Sequence, residues 1–113
     1  MIGDISGAQH LYLITGYTDM RKSIDGRCAI VRDQLKLEPD QRSIFLFCGR
    51  RCDRIKILLH EKDGFVLIYK RLSVEHGRYQ WPRNRSEVRD LTWQEFDWLM
   101  SGIDLEQPKA IRV

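Results

Sequence analysis

Ten residues, FCGRRCDRIK at 47–56, gather three arginines, an aspartate and two cysteines, and three chemistries are open to them. The first is metal binding. Cys48 and Cys52 stand as C-x3-C, a spacing that zinc sites use when two further Cys or His ligands complete the tetrahedron. The remaining candidates, Cys28, His10, His60 and His76, are scattered and unpaired, and Arg50, Arg51 and Arg54 would repel a metal cation. No metal is expected, and the cysteines are read as packing residues. The second chemistry is catalysis. Asp19, Asp25, Asp53, Glu61 and Asp63 are the candidate acids, but they form no recognisable motif, and neither a phosphate-binding glycine loop nor G-x-S-x-G occurs. No catalytic residue and no cofactor are expected. The third is phosphate binding. Arginine presents a planar fork of donors that matches phosphate oxygens, and three arginines crowd one turn.

Two more stretches carry similar chemistry. In GYTDMRK, residues 16–22, Thr18, Arg21 and Lys22 fall where a helix is expected to begin, and free N–H groups there bind anions. Local pairing of Arg21 or Lys22 with Asp25 is the competing reading. In YQWPRNR, residues 79–85, Tyr79 and Trp81 alternate with Arg83 and Arg85. That pattern suits stacking on unpaired bases or a partner surface, with Trp81 and Arg83 as the partner-binding pair. Its alternative is that Trp81 caps the core before Pro82 ends a strand.

The elements that position these residues follow from periodicity. HLYLIT, residues 10–15, reads as a first strand closed by Gly16. Ile24, Cys28, Val31 and Leu35 form one helical stripe, with Thr18 or Asp19 as cap and Pro39 as breaker. SIFLFC is apolar throughout, as a strand buried on both faces would be. RIKILLHE and FVLIYKRL follow, joined at Asp63-Gly64, which signals a tight hairpin turn with positive φ angles. GRYQW is expected as the last strand. In that hairpin, Lys70 and Arg71 end the strand opposite Arg54, so one basic cluster of Arg50, Arg51, Arg54, Lys70 and Arg71 is expected. LTWQEFDWLMSG is the clearest helix: Thr92 and Glu95 make a capping box, Trp93, Phe96, Leu99 and Met100 a stripe, and Gly102 a C-terminal cap. The fold class is α+β, an antiparallel meander of about five strands with two main helices.

Residues 1–113 are read as one domain, with a loose tail from about 104. Hydrophobic residues are 42% and charged residues 31%, which excludes a disordered chain, and no apolar run approaches a membrane helix. MIGDISGAQH is unlike a signal peptide, and three cysteines suit a reducing compartment, so a cytoplasmic setting is expected. The formal charge of +3 is uneven: residues 50–89 hold eleven Lys/Arg against five Asp/Glu, while 90–113 hold two against five. A basic middle suggests an anionic polymer as partner.

GYTDMRKSIDG, IFLFCGRRCDRIK, DGFVLIYKRL, YQWPR and LTWQEFDWLMSGIDLEQPKA together resemble the TnpB accessory proteins, encoded by the second open reading frame of insertion sequence 66 type transposable elements. The likeness runs in order along nearly the whole chain. It implies a bacterial mobile element in which a separate, larger protein is the transposase. The family pattern covers Thr18 to Lys22, then Gly49, Arg50, Arg51, Asp53, Arg54 and Lys56, then Asp63, Gly64, Tyr69, Lys70, Arg71, Trp81 and Pro82. Two positions depart from it: Cys52 stands where another arginine is expected, and Arg27-Cys28 where small or apolar residues are. The resemblance and the basic residues give one expectation, a non-catalytic accessory factor in DNA transposition and recombination. It would bind element DNA through Arg50, Arg51, Arg54, Lys70 and Arg71, with Arg21 and Lys22 extending the track. The alternative is a module that docks on the element's transposase without touching DNA.

Overall fold

The computed structural model describes residues 2–40, 42–73, 75, 77–83 and 87–102. Five strands form one sheet: β1 (His10–Ile14), β2 (Ser43–Cys48), β3 (Arg54–Glu61), β4 (Gly64–Arg71) and β5 (Val88–Leu91). Two helices flank it, α1 (Ile24–Ala29) and α2 (Trp93–Met100). Five further residues, Ile30–Gln34, continue α1 with the wider π spacing, as in the Leu35 N–H to Ile30 carbonyl bond of 3.1 Å. The strand order is β4-β3-β2-β1-β5.

The sheet is mixed, which corrects the expected all-antiparallel meander. β1 pairs parallel to β2, with Leu11 opposite Ile44 and Leu13 opposite Leu46, while the other neighbours are antiparallel. The physical reason is the connection: a helical crossover lies between β1 and β2, and such a crossover returns the chain in the same direction. The last strand also moves. Residues 77–81 form no strand, and β5 is the polar segment Val88–Leu91, which pairs only with β1 at the sheet edge.

β2 sits at the sheet centre and all six of its residues are buried, as its unbroken apolar run requires. Alternation then builds two cores. Leu11, Leu13, Ile44, Leu46, Ile55, Ile57 and Leu59 face α2, joined by Tyr79, Trp81, Phe96 and Leu99. Ile14, Phe45, Phe47 and Leu58 face α1, joined by Cys28, Ile30 and Val31. Thr92 caps α2 through the expected box: its hydroxyl accepts from the Glu95 N–H, and the Glu95 carboxylate accepts from the Thr92 N–H. Gly102 follows with φ of 78°, the left-handed geometry of a glycine C-cap.

The hairpin signalled by Asp63-Gly64 is present between β3 and β4 but turns one residue earlier than expected, closed by Glu61 opposite Gly64, which opens β4. Its central residues are Lys62 and Asp63. Neither has positive φ, so the turn is not of the primed type. Among the described residues no helix is long and apolar enough to cross a membrane. The expected loose tail lies outside the described residues, as do Arg85 and His76.

Candidate nucleic-acid interface

The connection from β2 to β3 is a rigid turn with two cations at its tip. The Cys52 N–H donates to the Gly49 carbonyl at 3.0 Å, and the Gly49 N–H donates to the Arg54 carbonyl at 3.2 Å. From outside, the Leu72 N–H donates to the Asp53 carbonyl at 2.8 Å and the Tyr79 N–H to the Cys52 carbonyl at 2.7 Å. Cys52 takes a φ of 57°, which an ordinary side chain adopts at a cost. Arg50 and Arg51 project from this frame, exposed and without an ion pair among the described residues.

The cysteines point inward. Cys48 is fully buried and Cys52 nearly so, and burial, followed by the neighbouring Cys52, pushes the Cys48 thiol far up. Such thiols are inert packing groups. Among the described residues no three His, Cys, Asp or Glu side chains gather as a metal ion would need.

The expected basic cluster is divided by the pleat. Arg54 lies opposite Arg71, Lys56 opposite Tyr69 and Ile55 opposite Lys70. Arg54, Lys56, Tyr69 and Arg71 therefore share the α1 face, while Lys70 stands on the α2 face with Ile55. At the end of the strand, Lys70 and Arg71 both border one opening of about 440 Å³, together with Arg78 and Tyr79. Asp53 neighbours Arg54, Oδ1 to Nε at 3.6 Å, too long for a hydrogen bond, and does not reach Arg50. Two arginines directly opposite each other destabilise a sheet, so the Arg54–Arg71 pair works against the fold rather than for it.

Gly16–Lys22 does not begin a helix. α1 starts five residues after Asp19, at Ile24, with Ser23 in the cap position. Asp19 instead folds back on its own loop, accepting from the Arg21 N–H at 2.9 Å, Arg21 Nε at 3.0 Å and Arg21 Nη2 at 2.9 Å. Those Arg21 bonds hold the Asp19 carboxyl down at about 2. The cap expected at Thr18 or Asp19 is thus corrected, and the free helical N–H groups expected beside Arg21 and Lys22 are not there. Lys22 forms no ion pair with Asp25. It lines a separate hollow of about 170 Å³ with Ile14, Ile30 and Leu35.

What the fold does bring together is this loop and the arginine turn. The Thr18 N–H donates to the Cys48 carbonyl at 2.9 Å, and the Tyr17 hydroxyl is raised first by its hydrogen bond with the Cys52 thiol. A Cβ at Gly49 would stand 2.7 Å from Met20 Cγ, so glycine permits the approach. Between loop and turn lies a groove of about 420 Å³ lined by Tyr17, Thr18, Asp19, Met20, Arg21 and Arg50.

Two cations lie beneath it. Arg27 is completely buried, its guanidinium 4.8 Å from the Phe47 ring, donating to Thr18 Oγ1 at 3.3 Å and to the Asp19 carbonyl at 3.2 Å. Lys56 donates to the Met20 carbonyl at 2.6 Å and lies 5.5 Å from the Tyr69 ring. Neither was singled out as a site residue from the sequence. The signal for Arg27 was present: it sits on the apolar stripe with Ile24, Cys28 and Val31, where a charge demands a reason.

Trp81 belongs to the core. It is 4% exposed and its indole N–H donates to the Ile14 carbonyl at 2.9 Å. Of the pair expected as a partner surface, Arg83 is exposed, while Trp81 is not. Of the helix tryptophans, Trp93 is 40% exposed and meets Phe96 edge to face, while Trp98 packs partly against the core.

The family model described as "IS66 Orf2 like protein" matches residues 9–110, which take in every part of the turn, loop and groove. The chain belongs to the IS66 Orf2-like family. It is 31% identical over 99 residues to the uncharacterized protein y4hO of Sinorhizobium fredii, covering 88% of this chain and 84% of that one. To the uncharacterized protein y4jC of the same organism it is 29% identical over 109 residues, covering 96% and 91%. No solved structure matches. Membership in the IS66 Orf2-like family places the chain in a transposition-associated accessory role.

Proposed function

We propose that this IS66 Orf2-like protein is a non-catalytic accessory factor that binds DNA of its element through the phosphate backbone. The observation that carries this reading is the turn itself. Arg50 and Arg51 stand exposed and unpaired among the described residues, on a backbone fixed by four hydrogen bonds. A turn backbone held in place and guanidinium groups free of a competing carboxylate leave only side-chain freedom to be lost on meeting phosphate. Arg71 and the half-neutralised Arg54 extend the contact along the α1 face, and Lys70 with Arg78 offers a continuation round the sheet edge. Contacts of this kind give affinity and position rather than base reading.

The test is fluorescence anisotropy of a labelled duplex, carrying the element's end or random sequence, titrated at several salt concentrations. Two to four phosphate contacts predict a slope of log affinity on log salt of roughly −2 to −4. Absence of binding at low salt would overturn the reading. A second reading, docking on the element's transposase, is favoured by one observation, the exposed Trp93 on a helix that also carries Glu95 and Asp97. Its test is capture of that transposase, with Trp93→Ala losing it.

A further inference from the structure

Among the described residues, neither the fully buried Arg27 nor the partly buried Lys56 under the groove has an ion-pair partner: no carboxylate lies within ion-pair distance of either, and Arg27 Nε has no hydrogen-bond partner. Asp19, the nearest acid that bears on them, is committed to Arg21 and turned outward. Leaving a buried charge without its opposite costs roughly several kcal/mol. Burial pulls both groups below their ordinary values, and Lys56 is lowered further by Arg27. Yet both donate to the loop above them, to Thr18, Asp19 and Met20, which are three of the groove's lining residues. Arg21 and Arg50 line the groove with Asp19, and Arg27 and Lys56 are bonded to its lining residues from beneath.

We infer that this groove is an oxyanion site for a phosphodiester, and that Arg27 and Lys56 make it attractive from below without touching the ligand. The inference rests on the DNA-binding reading and deepens it: Arg50 holds the phosphate from the rim, and the buried Arg27, with the partly buried Lys56, supplies the field. Fields from buried charges are screened by salt far less than those from exposed ones. Arg27 is a positioning residue in this account, since no ligand can reach a side chain with no exposed surface.

The experiment compares Arg27→Lys with Arg27→Gln, using duplex DNA in anisotropy and inorganic phosphate in thermal melting. Lysine keeps the charge and loses the fork. Glutamine keeps a donor to Thr18 or Asp19 and loses the charge. The expected result is near wild-type affinity for Arg27→Lys and about tenfold weaker binding for Arg27→Gln, with a smaller phosphate-induced rise in Tm for Arg27→Gln alone. A merely structural role predicts the same loss in both variants, in step with stability, and that result or unchanged affinity in Arg27→Gln overturns the inference. If neither Arg27 variant folds, Lys56→Met serves: weakened binding with a normal Tm supports the site, and unchanged binding overturns it. Failure of the wider reading looks different. DNA would not bind the wild type at all, while an Arg27-dependent phosphate effect on Tm would still stand.

Discussion

Asp19→Asn should tighten DNA binding. In the native loop the Asp19 carboxylate takes two bonds from the Arg21 guanidinium, at 3.0 and 2.9 Å, and a third from the Arg21 N–H. Arg21 is thus neutralised although it is almost wholly exposed at the groove's edge. Asparagine keeps an oxygen for the backbone N–H, so the loop holds its shape, but it gives up the charge that binds the fork. One freed arginine adds one phosphate contact. For duplex DNA that steepens the salt slope by roughly 0.9 and raises affinity about fivefold at 0.15 M salt. The assay is anisotropy with a labelled duplex at four or more salt concentrations, beside a melting curve that confirms the fold. Arg21→Ala is the companion variant and should weaken binding, because it leaves the Asp19 carboxylate uncompensated at the groove. Unchanged or weaker binding by a folded Asp19→Asn protein would refute the reasoning, for it would mean that Asp19 and the phosphate do not compete for Arg21.

Other consequences are simpler to check. The Asp19 carboxyl should titrate near pH 2 by NMR and return toward its ordinary value in Arg21→Ala. A depressed carboxyl stabilises above its ordinary pKa and loses that contribution as pH falls through about 2, so the Asp19–Arg21 contact should survive at pH 3 and vanish below 2. Thr92→Ala removes the side-chain half of the capping box and should lower stability by about 1 kcal/mol, a Tm drop of roughly 4–8 °C, with DNA affinity unchanged.

The legible parts of this chain are those where one physical signal suffices. A short unbroken apolar run rich in Ile and Phe fits a strand buried on both sides, and β2 is that strand. A threonine followed by glutamate three residues on, ahead of an apolar stripe, fixed the start of α2. The pairing of β1 with β2 depended on the crossover between them, which periodicity within either strand does not encode. β5 was hidden because an edge strand paired on one side tolerates Arg89 and Asp90, and Asp90 even finds His10 at 2.8 Å. GRYQW looked like a strand by composition, yet its Tyr79 N–H is spent on the Cys52 carbonyl, outside any ladder.

The candidate site divides the same way. The exposed arginines of the turn were readable from composition and turn chemistry. The convergence of that turn with the Thr18–Arg21 loop was not, because it rests on Gly49 admitting Met20 and on Arg27 drawing the loop down. Lys70 left the expected cluster for a reason the sequence did contain: consecutive residues of a strand face opposite ways, so Lys70 and Arg71 cannot share a face.

The most direct test of the central claim is the DNA affinity of the Arg50→Ala/Arg51→Ala double variant beside the wild type across salt. Two exposed, unpaired side chains leave the fold alone, so Tm should hold. Loss of two phosphate contacts should flatten the slope by roughly 1.8 and weaken binding about thirtyfold at 0.15 M salt. A double variant that binds DNA with the wild-type affinity and the wild-type slope would contradict the account.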